Sequence, residues 1–82
     1  MPLFFFHIQK PSNELIKDNE GIELDDIEAA RSEAINAARD LLAEAAREGR
    51  DDRKTKFVIT DHQAAEVLSV PFEAAFQEEQ SR

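Results

Sequence analysis

Residues 3–9 read LFFFHIQ, and the three consecutive phenylalanines Phe4, Phe5 and Phe6 decide the architecture. The stretch is uncharged, follows Pro2 and precedes Lys10-Pro11-Ser12-Asn13. Aromatic residues suit a pleated backbone, and the tetrad is turn chemistry: proline pre-sets a central turn position, while Ser and Asn bond local backbone. Neighbouring side chains of a strand point to opposite faces. Phe4 and Phe6 therefore share one face with Ile8, and Phe5 shares the other with Leu3 and His7. A strand that is apolar on both faces belongs inside a sheet rather than at its edge.

Working outward, residues 14–24 form one bent edge strand, interrupted at Asp18-Asn19-Glu20-Gly21 by a turn or bulge that ends in glycine. A long helix follows. Asp25 is placed to cap it, with Glu28 three residues later in the position of a capping box, and Gly49 supplies the stop. The intervening stretch is rich in alanine and contains neither glycine nor proline. Ile27, Ala30, Ala34, Ala37, Ala38, Leu41 and Ala45 recur at helical spacing as a buried stripe, widened by Ile35 and Leu42. Residues 55–60 and 66–70 are two further strands, joined through Asp61-His62-Gln63-Ala64-Ala65, with Pro71 expected to end the second. Phe72, Ala75 and Phe76 allow a short terminal helix. The expected domain is residues 1–76, with 77–82 a frayed tail.

The predicted fold is α+β: a β-β-α-β-β chain whose four-stranded antiparallel sheet, in the order 2-1-3-4, carries one long helix on one face. Alternation assigns Phe4, Phe6, Ile8, Phe57, Ile59, Leu68 and Val70 to the helix side. Leu3, Phe5, His7, Val58 and Val67 are then left on the outer face, with Thr60 and Ser69 among them. No second helix is available in sequence to cover that face, and such a patch marks an interface. The expectation is a homodimer formed through Leu3, Phe5, His7, Val58 and Val67, with the terminal Phe72/Phe76 segment as the rival cover.

Bulk properties narrow the function classes. A chain of 82 residues is one domain with a small core. It has no cysteine, which removes disulfides, thiolate metal sites and cysteine nucleophiles. The net charge of −8 disfavours direct nucleic-acid binding, which draws on Lys and Arg to neutralise phosphates. The one basic cluster, Arg50, Arg53, Lys54 and Lys56, is interleaved with Asp51 and Asp52 and reads as a solvated loop. The repeated Ala-Ala-Arg at 29–31, 37–39 and 45–47 fans its arginines around the helix rather than forming a stripe. The longest apolar run, Leu3–Phe6, is too short for a membrane span or a signal-peptide core, so the expected location is cytoplasmic.

Candidate chemistry is sparse. A shared metal site would require His7, His62 and a carboxylate such as Asp61 to converge, yet the strand order sets the histidines at opposite ends of the sheet. Asp18, Glu20, Glu23, Asp25 and Asp26 lack calcium-loop spacing and serve as turn and cap residues. Ser12, Ser32, Ser69, Ser81, Thr55 and Thr60 lie in no nucleophile elbow. With two glycines in all, no phosphate-cradling loop exists. The chain is therefore expected to be no enzyme and to need no cofactor or metal.

The opening Met1-Pro2-x-Phe4-Phe5-Phe6-His7, the segment Asp18-x-Glu20-Gly21-x-Glu23-Leu24-x-Asp26, the helical Glu28-Ala29-Ala30-Arg31-x-Glu33-Ala34 and the ending Val70-Pro71-Phe72 resemble a small bacterial family of domains of unknown function. The resemblance spans about residues 1–76 and implies no established activity, so it assigns no catalytic or binding residue. That family commonly has tyrosine where Phe4 stands. It often has glycine in the turn where this chain has Ala64-Ala65, so a tight turn with positive φ is not expected here. The function expected from the chain is that of a small acidic interaction or regulatory module that self-associates through its outer sheet face. The alternative is an antitoxin-like or accessory acidic protein that masks a basic partner.

Overall fold

A computed structural model of the chain describes residues 1–76. Strand β1 is Leu3–Gln9, β2 is Leu15–Ile16, β3 is Ile22–Glu23, helix α1 is Ile27–Arg47, β4 is Lys56–Thr60 and β5 is Glu66–Pro71. The sheet is antiparallel in the order β2-β1-β4-β5, with β3 also paired to β1. This is the predicted β-β-α-β-β arrangement, with its twice-apolar strand in the interior. The edge strand expected over 14–24 is divided. β2 pairs with the end of β1 (Ile8 opposite Ile16) and β3 with its start (Phe4 opposite Ile22), so the sheet has five strands rather than four. The expected tail at 77–82 lies outside the described residues.

The turn after β1 is the one its composition predicts. Asn13 takes φ +72 and donates its N–H to the Lys10 carbonyl at 2.9 Å. The helix begins one residue later than expected. Asp26, not Asp25, is the cap: its backbone is extended and its Oδ1 accepts the Ala29 N–H at 2.8 Å. At the other end Arg50 N–H reaches the Ala45 carbonyl and Gly49 N–H the Ala46 carbonyl, with Gly49 at φ +78, which is a Schellman closure.

The buried helix residues are Ala30, Ala34, Ile35, Ala38, Leu42 and Ala45. The stripe is thus centred nearer Ile35 and Leu42 than the sequence suggested. Ala37 and Leu41 are half-buried at its border, and Ile27 is exposed. The small side chains let the helix approach the sheet closely, and large residues from the other layer fill the space: Phe4, Phe57, Ile59, Val70 and Phe72. Phe57 organises this packing. Its ring meets Phe6 edge-on at 6.0 Å and Phe72 at 5.0 Å between centroids. Phe72 therefore seals the helix side, and the segment 72–76 does not cover the outer face. The shape is a slab of 36 × 32 × 16 Å, one sheet and one helix thick.

Two local features depart from expectation. Between Ile59↔Leu68 and Thr60↔Glu66 the register slips by one residue, so Val67 is the extra residue of a β-bulge. The bulge turns Val67 toward the helix side, where it packs against the core, and sets Glu66 beside Thr60 instead. The second feature is the β4–β5 turn, where Ala64 takes φ +65 despite its Cβ. Asp61 holds the turn. Its Oδ1 accepts N–H groups from Gln63 (2.8 Å) and Ala65 (3.0 Å), and its backbone N–H donates to the Ala65 carbonyl. A left-handed conformation costs a non-glycine residue about 1–2 kcal/mol. Replacing Ala64 with glycine should recover part of that, against glycine's larger chain entropy. The expected result is a gain of about 0.5–1 kcal/mol in urea-unfolding stability, a few degrees in Tm.

Candidate interaction surface

Cross-strand partners lie on the same face of a sheet, so the observed register lays out the outer face as a grid. Leu3 stands beside Glu23. Phe5 leads to Thr60 and Glu66, and His7 to Val58 and Ser69. Leu15 leads through Gln9 to Lys56 and Pro71. Leu3, Phe5, His7 and Val58 are half-buried, while Leu15, Glu66, Ser69 and Pro71 are exposed. The structure thus groups four of the five residues predicted for this surface. Val67 belongs elsewhere because the bulge reverses its direction, a one-residue slip that no period-2 pattern reveals.

The margin of this face is built by the segment between β2 and β3. Among the described residues no strand lies beside the middle of β1 on that edge, and a side chain takes the strand's place. Asp18 Oδ2 accepts the Phe6 N–H at 3.0 Å, while Oδ1 accepts from Glu20 (3.0 Å) and Gly21 (3.2 Å). The Asp18 N–H in turn donates to His7 Nδ1 at 3.0 Å. Gly21 closes the loop at φ +74, so near β1 that a Cβ there would stand 3.0 Å from Leu3 Cδ1 and 3.0 Å from Phe5 Cε2. The Phe5 ring lies parallel to that of His7, with centroids 6.4 Å apart.

These bonds fix the chemistry of His7. A backbone N–H only donates, so Nδ1 is the acceptor and the proton resides on Nε2, which donates to Thr60 Oγ1 at 3.1 Å. A histidine that activates a hydroxyl needs the opposite tautomer, with Nδ1–H held by a carboxylate and Nε2 bare toward the oxygen. The Asp18, His7 and Thr60 set is therefore a brace between the edge loop, β1 and β4. His62 is exposed in the β4–β5 turn, four residues beyond the cross-strand partner of His7.

The Asp18 carboxyl carries the electrostatics of the brace. Partial burial raises its pKa, but the N–H donors of Phe6, Glu20 and Gly21, with His7 nearby, outweigh that and leave it below the ordinary carboxylate value. A pKa depressed by folding contributes stability that is complete above the unfolded-state value, about 4, and is lost as pH falls through the folded-state value. Asp61, held by the Ala65 and Gln63 N–H groups, acts in the same direction. Urea midpoints measured from neutral pH down to about pH 3 should fall on the acid side, and Asp18→Asn should flatten that limb while lowering stability at neutral pH. A limb of equal steepness in the variant would remove Asp18 from the account.

On the opposite side of the slab, Leu42, Ala43, Ala46, Ala75 and Phe76, with Arg39 at the rim, line a shallow groove of about 280 Å³. Among the described residues no helix is long and apolar enough to cross a membrane. In comparison with known proteins, the model of a protein family described as a domain of unknown function, DUF6894, matches residues 3–73. No curated protein and no solved structure matches.

Proposed function

The chain belongs to the DUF6894 family of domains of unknown function, and we propose that it works as a small interaction module that self-associates through the outer face of its sheet. One observation carries this reading. Among the described residues, helix α1 and the Phe72 segment both lie on one side of the sheet, and Leu3, Phe5, His7 and Val58 form a half-buried row on the other, bordered by the 17–21 loop. The broad face of the slab, 36 × 32 Å, is large enough for the roughly 800 Å² per partner that a stable dimer buries. A two-fold arrangement would stack the two outer faces about 10 Å apart and enclose both Phe5 rings.

Two protomers of charge −8 repel one another, so association should strengthen as salt screens them. Sedimentation equilibrium at hundreds of micromolar is the direct test. Ser69 is exposed on the edge strand β5 beside Val58, so Ser69→Arg leaves the fold intact while setting bulk and charge against the apolar row. It should weaken the dimer at least about tenfold. Ser32→Arg, on the exposed side of α1, should not. A wild-type chain that stays monomeric across this range overturns the proposal.

A further inference from the structure

A second apolar surface lies on the helix side, at the open flank of β2 and β3. Ile16, Ile22 and Ile27 are 43%, 39% and 47% exposed. Ile16 pairs with Ile8 and Ile22 with the core residue Phe4, so both project to the helix side of the sheet. Ile27 precedes Ala45 by eighteen residues, which is five full helical turns, so the two side chains point the same way. Ala45 is fully buried, whereas Ile27 stands at the helix end and is left uncovered. Isoleucine is among the residues most often found fully buried, and here three lie exposed along one flank of the domain, Ile16 and Ile22 four residues apart in β1 register.

The surroundings of this patch identify what fits it. Residues 14–28 contain seven carboxylates and one lysine, a net −6 of the chain's −8. Asp18 is held by backbone N–H groups and Asp26 caps α1, but Glu14, Glu20, Asp25 and Glu28 are exposed along the same segment as the isoleucines, with Glu23 turned to the outer face beside Leu3. An anionic bilayer or a nucleic acid would be repelled by such a rim. A polypeptide with an apolar stripe flanked by Lys or Arg matches both features, the isoleucines by burial and the rim by charge. We propose that this flank is the docking site for a basic amphipathic segment of a partner protein. It is separate from the outer face, and neither surface depends on the other.

The test uses the full chain and a designed helical peptide with leucines on one face and lysines on the other. It is followed by ¹⁵N chemical-shift titration and calorimetry. Leu/Lys peptide should bind and perturb the amides of Ile16, Ile22 and Ile27, with an affinity that drops as salt is raised. The double variant Ile16→Ser/Ile27→Ser, which alters exposed side chains only, should weaken binding at least about tenfold. A Leu/Glu peptide should not bind. Three results would each overturn the proposal: no binding of the Leu/Lys peptide, equal binding of a Ser/Lys peptide that lacks the apolar stripe, or shifts centred on Val58 and Ser69. Because self-association is read from sedimentation and from Ser69→Arg, failure of one proposal leaves the other standing.

Discussion

Truncating Phe72 to alanine should cost about 3–5 kcal/mol, the largest loss expected from any single change in this domain. Phe72 is 2% exposed, and its ring lies 5.0 Å from that of Phe57. Its N–H also donates to the Thr55 carbonyl at 2.9 Å, which ties the segment after β5 back to the start of β4. The layer it faces cannot close over the hole, because four of the six buried residues of α1 are alanines with no length to extend into it. A domain of this size is stable by roughly 4–12 kcal/mol, so the variant should be close to its unfolding midpoint under mild conditions. Far-UV circular dichroism in urea gives the measurement. Phe76→Ala is the internal control: at 44% exposure it should cost under about 1 kcal/mol. Equal effects at the two positions would mean that Phe72 does not seal the core.

Gly21→Ala should be the next most damaging change, and Gly49→Ala shows why. Both glycines sit at nearly the same positive φ, +74 and +78, so both alanines carry the left-handed cost of about 1–2 kcal/mol. Around Gly49 there is open space, and nothing more is expected there. At Gly21 the new methyl would meet Leu3 Cδ1 and Phe5 Cε2 at 3.0 Å and the Phe4 carbonyl oxygen at 3.1 Å. The side chains can rotate away, but the carbonyl belongs to a central strand and cannot move without disturbing its pairing. Overpacking of this kind adds about 1–3 kcal/mol, so the total for Gly21→Ala is about 2–5 kcal/mol. Chemical denaturation of the two variants side by side isolates the close approach from the backbone term. Gly21→Ala should also disturb the outer face, because the displaced atoms are those of Leu3 and Phe5. Under the proposed self-association, Gly21→Ala should therefore weaken the dimer, while Gly49→Ala should not.

Much of the fold was legible because the patterns that specify it are local. The Lys10–Asn13 turn, the Ala-rich helix ending at Gly49 and the interior position of an uncharged, twice-apolar strand follow from neighbouring residues and their periodicity. The outer face was legible for the same reason, since alternation along β1 and β4 places Leu3, Phe5, His7 and Val58 together. What escaped was non-periodic or depended on distant partners. The bulge that reclaims Val67 is a register event between two strands. The positive φ of Ala64 is carried by the Asp61 side chain, so an alanine stands where glycine was thought necessary. Asp18 looked like a turn residue and is one, yet its carboxylate also stands in for a strand on β1 and its N–H sets the tautomer of His7.

The sequence by itself determined the α+β class, the strand order and the division of the three phenylalanines between two faces, because side-chain period and turn chemistry are properties of the chain alone. Tertiary structure decided which apolar residues remain uncovered. Phe72 turned out to close the helix side, Gly21 to press against Leu3 and Phe5, and Ile16, Ile22 and Ile27 to stand exposed although each lies on a core-facing position. The physical reason is that periodicity gives the direction of a side chain. Whether anything lies in that direction depends on where a helix ends over its sheet and how far an edge strand reaches, and those follow from packing of the whole domain.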